Sequence, residues 1–428
     1  MVNRLKKLSP EFKKILKLSS QIAASLGYQI YLVGGVVRDL ILDREVLDLD
    51  IVVEGKAIRC AQKLAKALKG SFNKHHAFGT ATVYFAKHKI DFATARTEEY
   101  HHWGMLPKVK PATLDEDLFR RDFTLNAMAV SLNKGSYGTL IDLNSGLSDL
   151  SKGLIRVQHP KSFLDDPTRI LRAIRFEQRF GFRIEKSSFK LLKDANQLKA
   201  LSFVNPHRLR DELILILKEL KPYPYLKRIQ KLIGFWFIDK KLSLSQNDFK
   251  IFLKVESALL YYKKGHPDSR KLQEWIIYLS GLLVKLSPGK INKILHEFGF
   301  RKTERAIVTS VKSGVSKIKK LNRRSKSYLT HKILDDYSFE SIIFFYAYYS
   351  SKNIRAKISE FLKELVKVRL KVKGEDLKRI DLKPQVLYGK LLKKLLYAKI
   401  DKGLKSKKDE LREARIIFEE LSKKTRGN

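Results

Sequence analysis

A chain of 428 residues, 44% of them apolar, is long enough for two to four domains and able to bury a substantial core. Its 87 Lys and Arg against 45 Asp and Glu leave a formal charge of +42, a field that draws polyanions, nucleic acid being the commonest. One cysteine excludes an internal disulfide or a zinc site, and the absence of a membrane-length or signal-peptide apolar run predicts a cytoplasmic protein with no membrane partner.

In chain order, Arg4–Leu18 reads as a helix. The apolar strand Tyr31-Leu32-Val33 then enters Gly34-Gly35 and a helix carrying Arg38 and Asp39. Next, Asp48 and Asp50 alternate with Leu49 and Ile51, so at a strand's period of two both carboxylates project from one face. Two neighbouring carboxylates at the edge of an apolar sheet repel each other. A divalent cation is the usual reason to keep such a pair, and hard oxygen ligands suit Mg²⁺. The glycines just upstream let backbone N–H groups approach a phosphate at the positive end of the following helix. A phosphate cradle beside metal carboxylates is the layout of a phosphoryl- or nucleotidyl-transfer site.

Further along, Lys56–Leu68 has helical apolar spacing and ends at Gly70. Strands are predicted near Ser71–Lys74, Thr80–Phe85 and Lys89–Ala95. Thr97–Thr113 reads as a loop, Leu114–Val130 as a helix and Gly138–Leu143 as a strand. From about residue 146 strand signals nearly vanish. Leu164–Arg179 reads as a helix with Pro167 in its first turn, and amphipathic segments recur to the Lys-dense C-terminus. The fold class is therefore α+β: an α/β head with a small mixed sheet, then an all-α basic extension. Along 165–176, Asp166, Arg169, Arg172 and Arg175 step by three and form one helical stripe. Such a stripe is either a solvated face, an RNA track or a nucleotide pocket. The pairs His75-His76 and His101-His102 lack metal-ligand spacing. Phe344–Tyr349 reads as core rather than as a base-stacking platform.

Gly34-Gly35-Val36-Val37-Arg38-Asp39 with Asp48-Leu49-Asp50 resembles the first motif of class II tRNA nucleotidyltransferases and bacterial poly(A) polymerases. Four more matches follow in the family's order: Ala95-Arg96-Thr97-Glu98; the run from Glu116 to Ala127; Asp142 with Gly146-Leu147 and Asp149-Leu150; and Asp165-Asp166-Pro167-Thr168-Arg169. The resemblance covers about residues 30–180. It implies that Asp48 and Asp50 hold two Mg²⁺ ions and that Asp91 is a third catalytic acid. Gly34, Gly35, Arg38 and Arg121 would contact a triphosphate, with Asp122 and Asn126 organising the ribose and phosphate side. Asp166 and Arg169 would read the base edge of ATP or CTP, with Arg172 and Arg175 towards the triphosphate.

The resemblance also implies a four-part chain: a catalytic head over 1–150, a neck over 151–225, a body over 226–350 and a tRNA-binding tail over 351–428. The basic helices would grip the acceptor and T-stem backbone of tRNA while its 3′ end enters the head; no feature sets an oligomeric state. Two positions depart from the family pattern, Asp43 where Gly is common and Asp165 where Glu is commoner. Loss of a flexible element near Asp91–Val109 accompanies CC-only addition, and that stretch is present here, which disfavours CC-only addition. The stretches Phe78–Val83, Asp91–Arg96 and Leu106–Phe123 together look similar to A-adding members, so terminal A addition is expected slightly ahead of full CCA addition. Poly(A) synthesis, or RNA binding by a relict head, are the alternatives.

Overall fold

The computed structural model describes residues 1–265, 270–321, 325–380, 382 and 387–426. The chain falls into two compact units, Met1–Leu213 with Arg228–Phe237, and Ile214–Lys227 with Ile238–Asn428. The first unit begins with α1 (Val2–Leu5) and α2 (Pro10–Ser25), a break in the single helix expected there. Pro10 cannot donate a backbone hydrogen bond, and the Ser9 side chain accepts from the Phe12 N–H, so a new helix starts at Pro10. There follow β1 (Gln29–Val33), α3 (Gly35–Ile41), β2 (Leu49–Glu54), α4 (Ala57–Leu68), β3 (Ser71–His75), β4 (Thr80–Phe85) and β5 (His88–Thr94). After β6 (Arg96–Glu99), β7 (Lys108–Pro111) and α5 (Leu114–Phe119) come β8 (Met128–Ser131), β9 (Leu140–Asp142) and α6 (Gly146–Ser151).

Seven strands form one sheet in the order β3-β4-β5-β2-β1-β8-β9. Within it β2 and β5 are parallel, joined by a crossover through α4, β3 and β4, while every other pair is antiparallel. Central β1 buries Ile30, Leu32 and Val33, and β2 buries Leu49, Ile51, Val52 and Val53. The small mixed sheet expected of the head is present.

Two local readings are corrected. The predicted helix over Leu114–Val130 stops at Phe119; the chain turns through a 3₁₀ segment at Thr124–Asn126 and continues as β8. Met128–Val130 carries a short apolar run whose side chains are all buried, which fits a central strand as well as a helix. The predicted loop over Thr97–Thr113 contains the hairpin of β6 and β7, with Glu98 opposite Val109 and Thr97 opposite Lys110. Its strands are mostly polar, so no apolar alternation announces them.

Beyond the sheet lie β10 (Leu154–Ile155), α7 (Ser162–Asp165), α8 (Thr168–Phe180), β11 (Arg183–Ile184), α9 (Lys186–Gln197) and α10 (Pro206–Leu217), the last belonging to this unit as far as Leu213. Pro167 does not sit inside one helix over 164–179. It ends α7 and precedes α8, with Asp166 before it extended at φ −128°, ψ 89°, as steric exclusion before proline requires.

The second unit is helical. Its helix Glu274–Leu283 is buried from Trp275 onward on every side, the mark of a central helix, and Phe339–Tyr348 also contributes Phe344 and Phe345 to the core. Near the C-terminus Leu377, Leu391, Leu395, Ala414 and Ile417 form a separate cluster. Glu410 is fully buried there and accepts the backbone N–H groups of Lys371 and Val372 and the ammonium of Lys399 at 2.5–2.8 Å. Among the described residues no helix is long and apolar enough to cross a membrane.

Candidate functional site

The parallel pairing of β2 with β5 sets Asp50 directly across from Asp91, so both side chains leave the same face of the sheet. Asp48, exposed, lies one residue before β2 on the same side as Asp50. Burial pushes the Asp50 carboxyl above its ordinary value; Arg121 and Lys89 oppose the rise, and the charges of Asp91 and Asp48 add to it. Asp91 accepts from the Thr82 hydroxyl at 2.6 Å and pairs with Lys89. Asp50 and Asp91 are thus neighbours on adjacent interior strands, with Asp48 just before the start of β2.

Opposite them stand the glycines. Gly34 has φ +74°, a conformation that penalises any side chain, and its N–H donates to the Met128 carbonyl at 3.2 Å. A Cβ at Gly34 would lie 2.9 Å from Nη1 of Arg121, so the bare backbone there also makes room for that guanidinium. Arg121 Nη2 donates to Asp117 at 2.9 Å, while its buried Nε has no hydrogen-bond partner. A buried guanidinium donor left open beside a carboxylate edge fits an anionic ligand such as a phosphate.

Gly35 opens α3, and the Arg38 that follows it is buried. Its Nε and Nη2 donate to Asp39 at 2.9 and 3.0 Å, its Nη1 donates to Asn126 at 2.5 Å, and its plane lies over Phe180 at 4.7 Å. Burial draws its pKa down, partly offset by Asp39. Asn126 Nδ2 donates to Asp122 at 3.0 Å, and Asp122 in turn takes Nε and Nη2 of Arg172 at 2.9 and 2.6 Å. Burial alone would raise the Asp122 carboxyl, but the charge and hydrogen bonds of Arg172, the Asn126 hydrogen bond and the charge of Arg169 together outweigh it, and the group sits at about 2.

The arginine stripe is therefore not a solvated face. Arg169 and Arg175 are buried, and Arg172 is partly so. Arg169 donates to the Ser162 hydroxyl and, at 2.8 Å, to the Arg120 carbonyl. Arg172 and Arg175 share Glu212 at 3.1 and 3.2 Å. Asp166 stands off the helix and pairs with Arg208 at 2.8 Å. Glu98, Arg120, Asp166, Arg169, Arg172 and Arg208 are among the residues lining a cleft of about 460 Å³.

The donor set fits Mg²⁺, which commonly binds through one or two carboxylates and completes its shell with substrate phosphates. Asp48 and Asp50 are hard oxygen donors, and the burial and neighbouring negative charge that push Asp50 upward are what a divalent cation would relieve. Among the described residues no three His, Cys, Asp or Glu side chains gather as a ready-made metal cage, and both His pairs are exposed.

Residues 30–156 match the Poly A polymerase head domain. The chain is 30% identical over 414 residues to an A-adding tRNA nucleotidyltransferase of Halalkalibacterium halodurans, covering 96% of this chain and 94% of that one. The chain belongs to the class II tRNA nucleotidyltransferase family. A second member, the A-adding tRNA nucleotidyltransferase of Aquifex aeolicus, is 37% identical over 366 residues; the match covers 83% of this chain but only 43% of that relative's own length. Among solved structures, a Thermotoga maritima CCA-adding enzyme complexed with tRNA superposes with a TM-score of 0.73 at 30% identity, covering 97% of this chain and 98% of the other.

In and beside this tRNA nucleotidyltransferase head, several charged residues to which the sequence assigns no role hold the site together. Glu98 and Asp117 clamp Arg120 at 2.8 and 2.7 Å, tying the β6–β7 hairpin to α5. Arg208 and Glu212 on α10 hold Asp166, Arg172 and Arg175. Their four-residue spacing places them on one helical face, but only the folded chain shows partners 37–42 residues away.

Proposed function

We propose that this chain is a template-independent tRNA nucleotidyltransferase, adding the terminal A, or CCA, to tRNA 3′ ends from ATP or CTP and releasing pyrophosphate. The alignment of Asp50 with Asp91 beside an incompletely bonded Arg121 carries the reading. Asp48 and Asp50 would hold two Mg²⁺ ions, which would supply charge stabilisation to an in-line displacement. Arg121 and the Gly34-Gly35 backbone bind the triphosphate, and Asp91 is the third acid beside the reacting 3′-hydroxyl. Buried Arg38, held by Asp39 and Asn126, braces the phosphate side together with Asp122 and Arg172. Arg175 extends that brace through Glu212. Asp166 and Arg169 read the base edge. Residues 1–150 act as head, 151–225 as neck, 226–350 as body and 351–428 as the tRNA-binding tail.

Terminal A addition is favoured by the names of the Halalkalibacterium and Aquifex relatives; full CCA addition is favoured by the likeness to the Thermotoga enzyme. Transcripts of one tRNA lacking the last three, two or one nucleotides, each given labelled CTP or ATP, separate the readings. Labelling by ATP of the transcript short by one nucleotide alone is expected. CMP on the shortest transcript overturns A-only addition, long A tracts point to poly(A) synthesis, and no incorporation overturns catalysis.

A further inference from the structure

Asp166 is held by one of its oxygens only. Its Oδ1 accepts the Thr168 N–H at 3.1 Å and the Thr168 hydroxyl at 2.6 Å, and forms an ion pair with Nη2 of Arg208 at 2.8 Å. No described donor reaches its Oδ2. The other end of the same guanidinium is also fixed, since Nη1 of Arg208 donates to the Gly104 carbonyl at 3.0 Å. Gly104 is itself anchored, its N–H donating to the Asp165 carbonyl at 3.2 Å. Gly104 has φ +70°, and a Cβ there would meet the Phe203 carbonyl at 2.8 Å, so the loop can approach this closely only as glycine. Arg208 thus bridges two points that the local chain already holds. Asp166 needs such a brace. It lies between α7 and α8, outside either helix, and the terminal torsion of an aspartate is broad and has no sharp minimum of its own.

We propose that Arg208 is a positioning residue: its charge, paired with Oδ1 of Asp166, pins that oxygen so that Oδ2 faces the cleft as a fixed acceptor for the exocyclic amino group of an incoming nucleobase. The inference rests on the nucleotidyltransferase reading above. Adenine and cytosine carry a donor amino group at that edge, whereas guanine and uracil carry a carbonyl acceptor. An ionised carboxylate accepts and never donates, so its fixed oxygen rewards the first pair and repels the second. Without Arg208 the carboxylate keeps only Thr168 as its anchor and rotates, and the discrimination weakens although both reading residues remain.

The test compares the full-length protein with its Arg208→Ala, Arg208→Lys and Asp166→Ala variants, on tRNA lacking its last nucleotide, with ATP, GTP and UTP supplied singly. Arg208→Ala is expected to raise KM for ATP about tenfold with kcat at saturating ATP changed less than about threefold, the loss of one charge-assisted contact. Its preference for ATP over UTP and GTP should fall by a similar factor. Arg208→Lys should recover most of both, because an ammonium keeps a positive charge beside Oδ1. A merely structural arginine would lower kcat, tRNA affinity and thermal stability together and leave base preference intact. Unchanged preference in Arg208→Ala alongside lost preference in Asp166→Ala overturns the role of Arg208 and leaves base reading by Asp166 standing. Preference retained in Asp166→Ala overturns base reading by Asp166 and the role of Arg208 with it. Should Arg208→Ala fail to fold, Arg208→Gln, neutral but still able to donate to Gly104, takes its place in the same comparison.

Discussion

A carboxylate costs least where water surrounds it, and Asp50 is placed where water does not. Its neighbours Asp48 and Asp91 add repulsion that Arg121 and Lys89 only partly offset, an arrangement that a bound cation would relieve. Asp48→Ala and Asp50→Ala are each expected to abolish nucleotide incorporation while tRNA affinity, measured by filter binding, stays within about twofold, because phosphate contacts elsewhere dominate affinity. Incorporation retained by either variant removes the metal assignment. Asp122 presents the opposite case, a carboxylate held at about 2 against an ordinary 3.8. Since its folded pKa lies below its unfolded one, the pairing adds stability that is complete above about pH 4 and disappears as pH falls through about 2. That contribution is on the order of 2 kcal/mol. Urea unfolding should find Asp122→Asn less stable by about that amount at neutral pH, with the two proteins converging as the solution is acidified. A constant gap at every pH contradicts the ion pair's role. In the sequence the stripe of arginines was legible but its direction was not, because Asp122 and Glu212, which turn it inward, lie 50 and 40 residues from Arg172.

At the scale of elements, the β1–α3 turn and the β6–β7 hairpin position the site. Gly34→Ala meets only the far end of the Arg121 side chain, which can move away, so its main stability cost is the backbone itself, at φ +74° and ψ −132°, about 1–3 kcal/mol. The displaced guanidinium should weaken nucleotide binding by more than that stability loss implies, a difference readable by calorimetric titration with ATP against thermal melting. Asp117 is completely buried and pairs with both Arg120 and Arg121, so Asp117→Ala takes the carboxylate partner from Arg121 and leaves Arg120 with Glu98, at a cost of about 3 kcal/mol. Loss of protease resistance around β6–β7 checks it, and an unaltered digestion pattern would show that the clamp is dispensable. The strand–glycine–helix unit could be read from the sequence because it combines apolar alternation with a glycine pair. The hairpin could not, since Thr97, Glu98, Lys108 and Lys110 carry no apolar period and are held by charge pairs and cross-strand backbone bonds. Asp43 adopts φ +51°, a conformation that favours glycine, and is paired with Arg4 and Lys7. Arg4 also donates to the Leu40 and Ile41 carbonyls at 2.7 Å, so α1 caps the end of α3.

Across the whole molecule, the excess of positive charge sets how the chain meets a polyanion. Binding of tRNA should fall log-linearly with salt, its slope counting the phosphates neutralised at about 0.7–0.9 per contact. Fluorescence titrations from low to high salt check this, and a flat response contradicts backbone contact. Composition and periodicity sufficed for an α/β head followed by helices. They did not reveal that residues 228–237 rejoin the first unit, because no local pattern records which compact unit a helix packs into.

The parallel step between β2 and β5 also fixes an order of assembly. Asp50 leaves the ribosome some forty residues before the strand that brings Asp91 to it, and β1 gains its second neighbour only when β8 has been made. A nascent chain ending before residue 128 would hold its acidic residues with no strand to close the far side of β1. Chemical competence therefore arrives as a late, non-local event in synthesis, and fragments of the head should bind neither metal nor nucleotide until β8 is included.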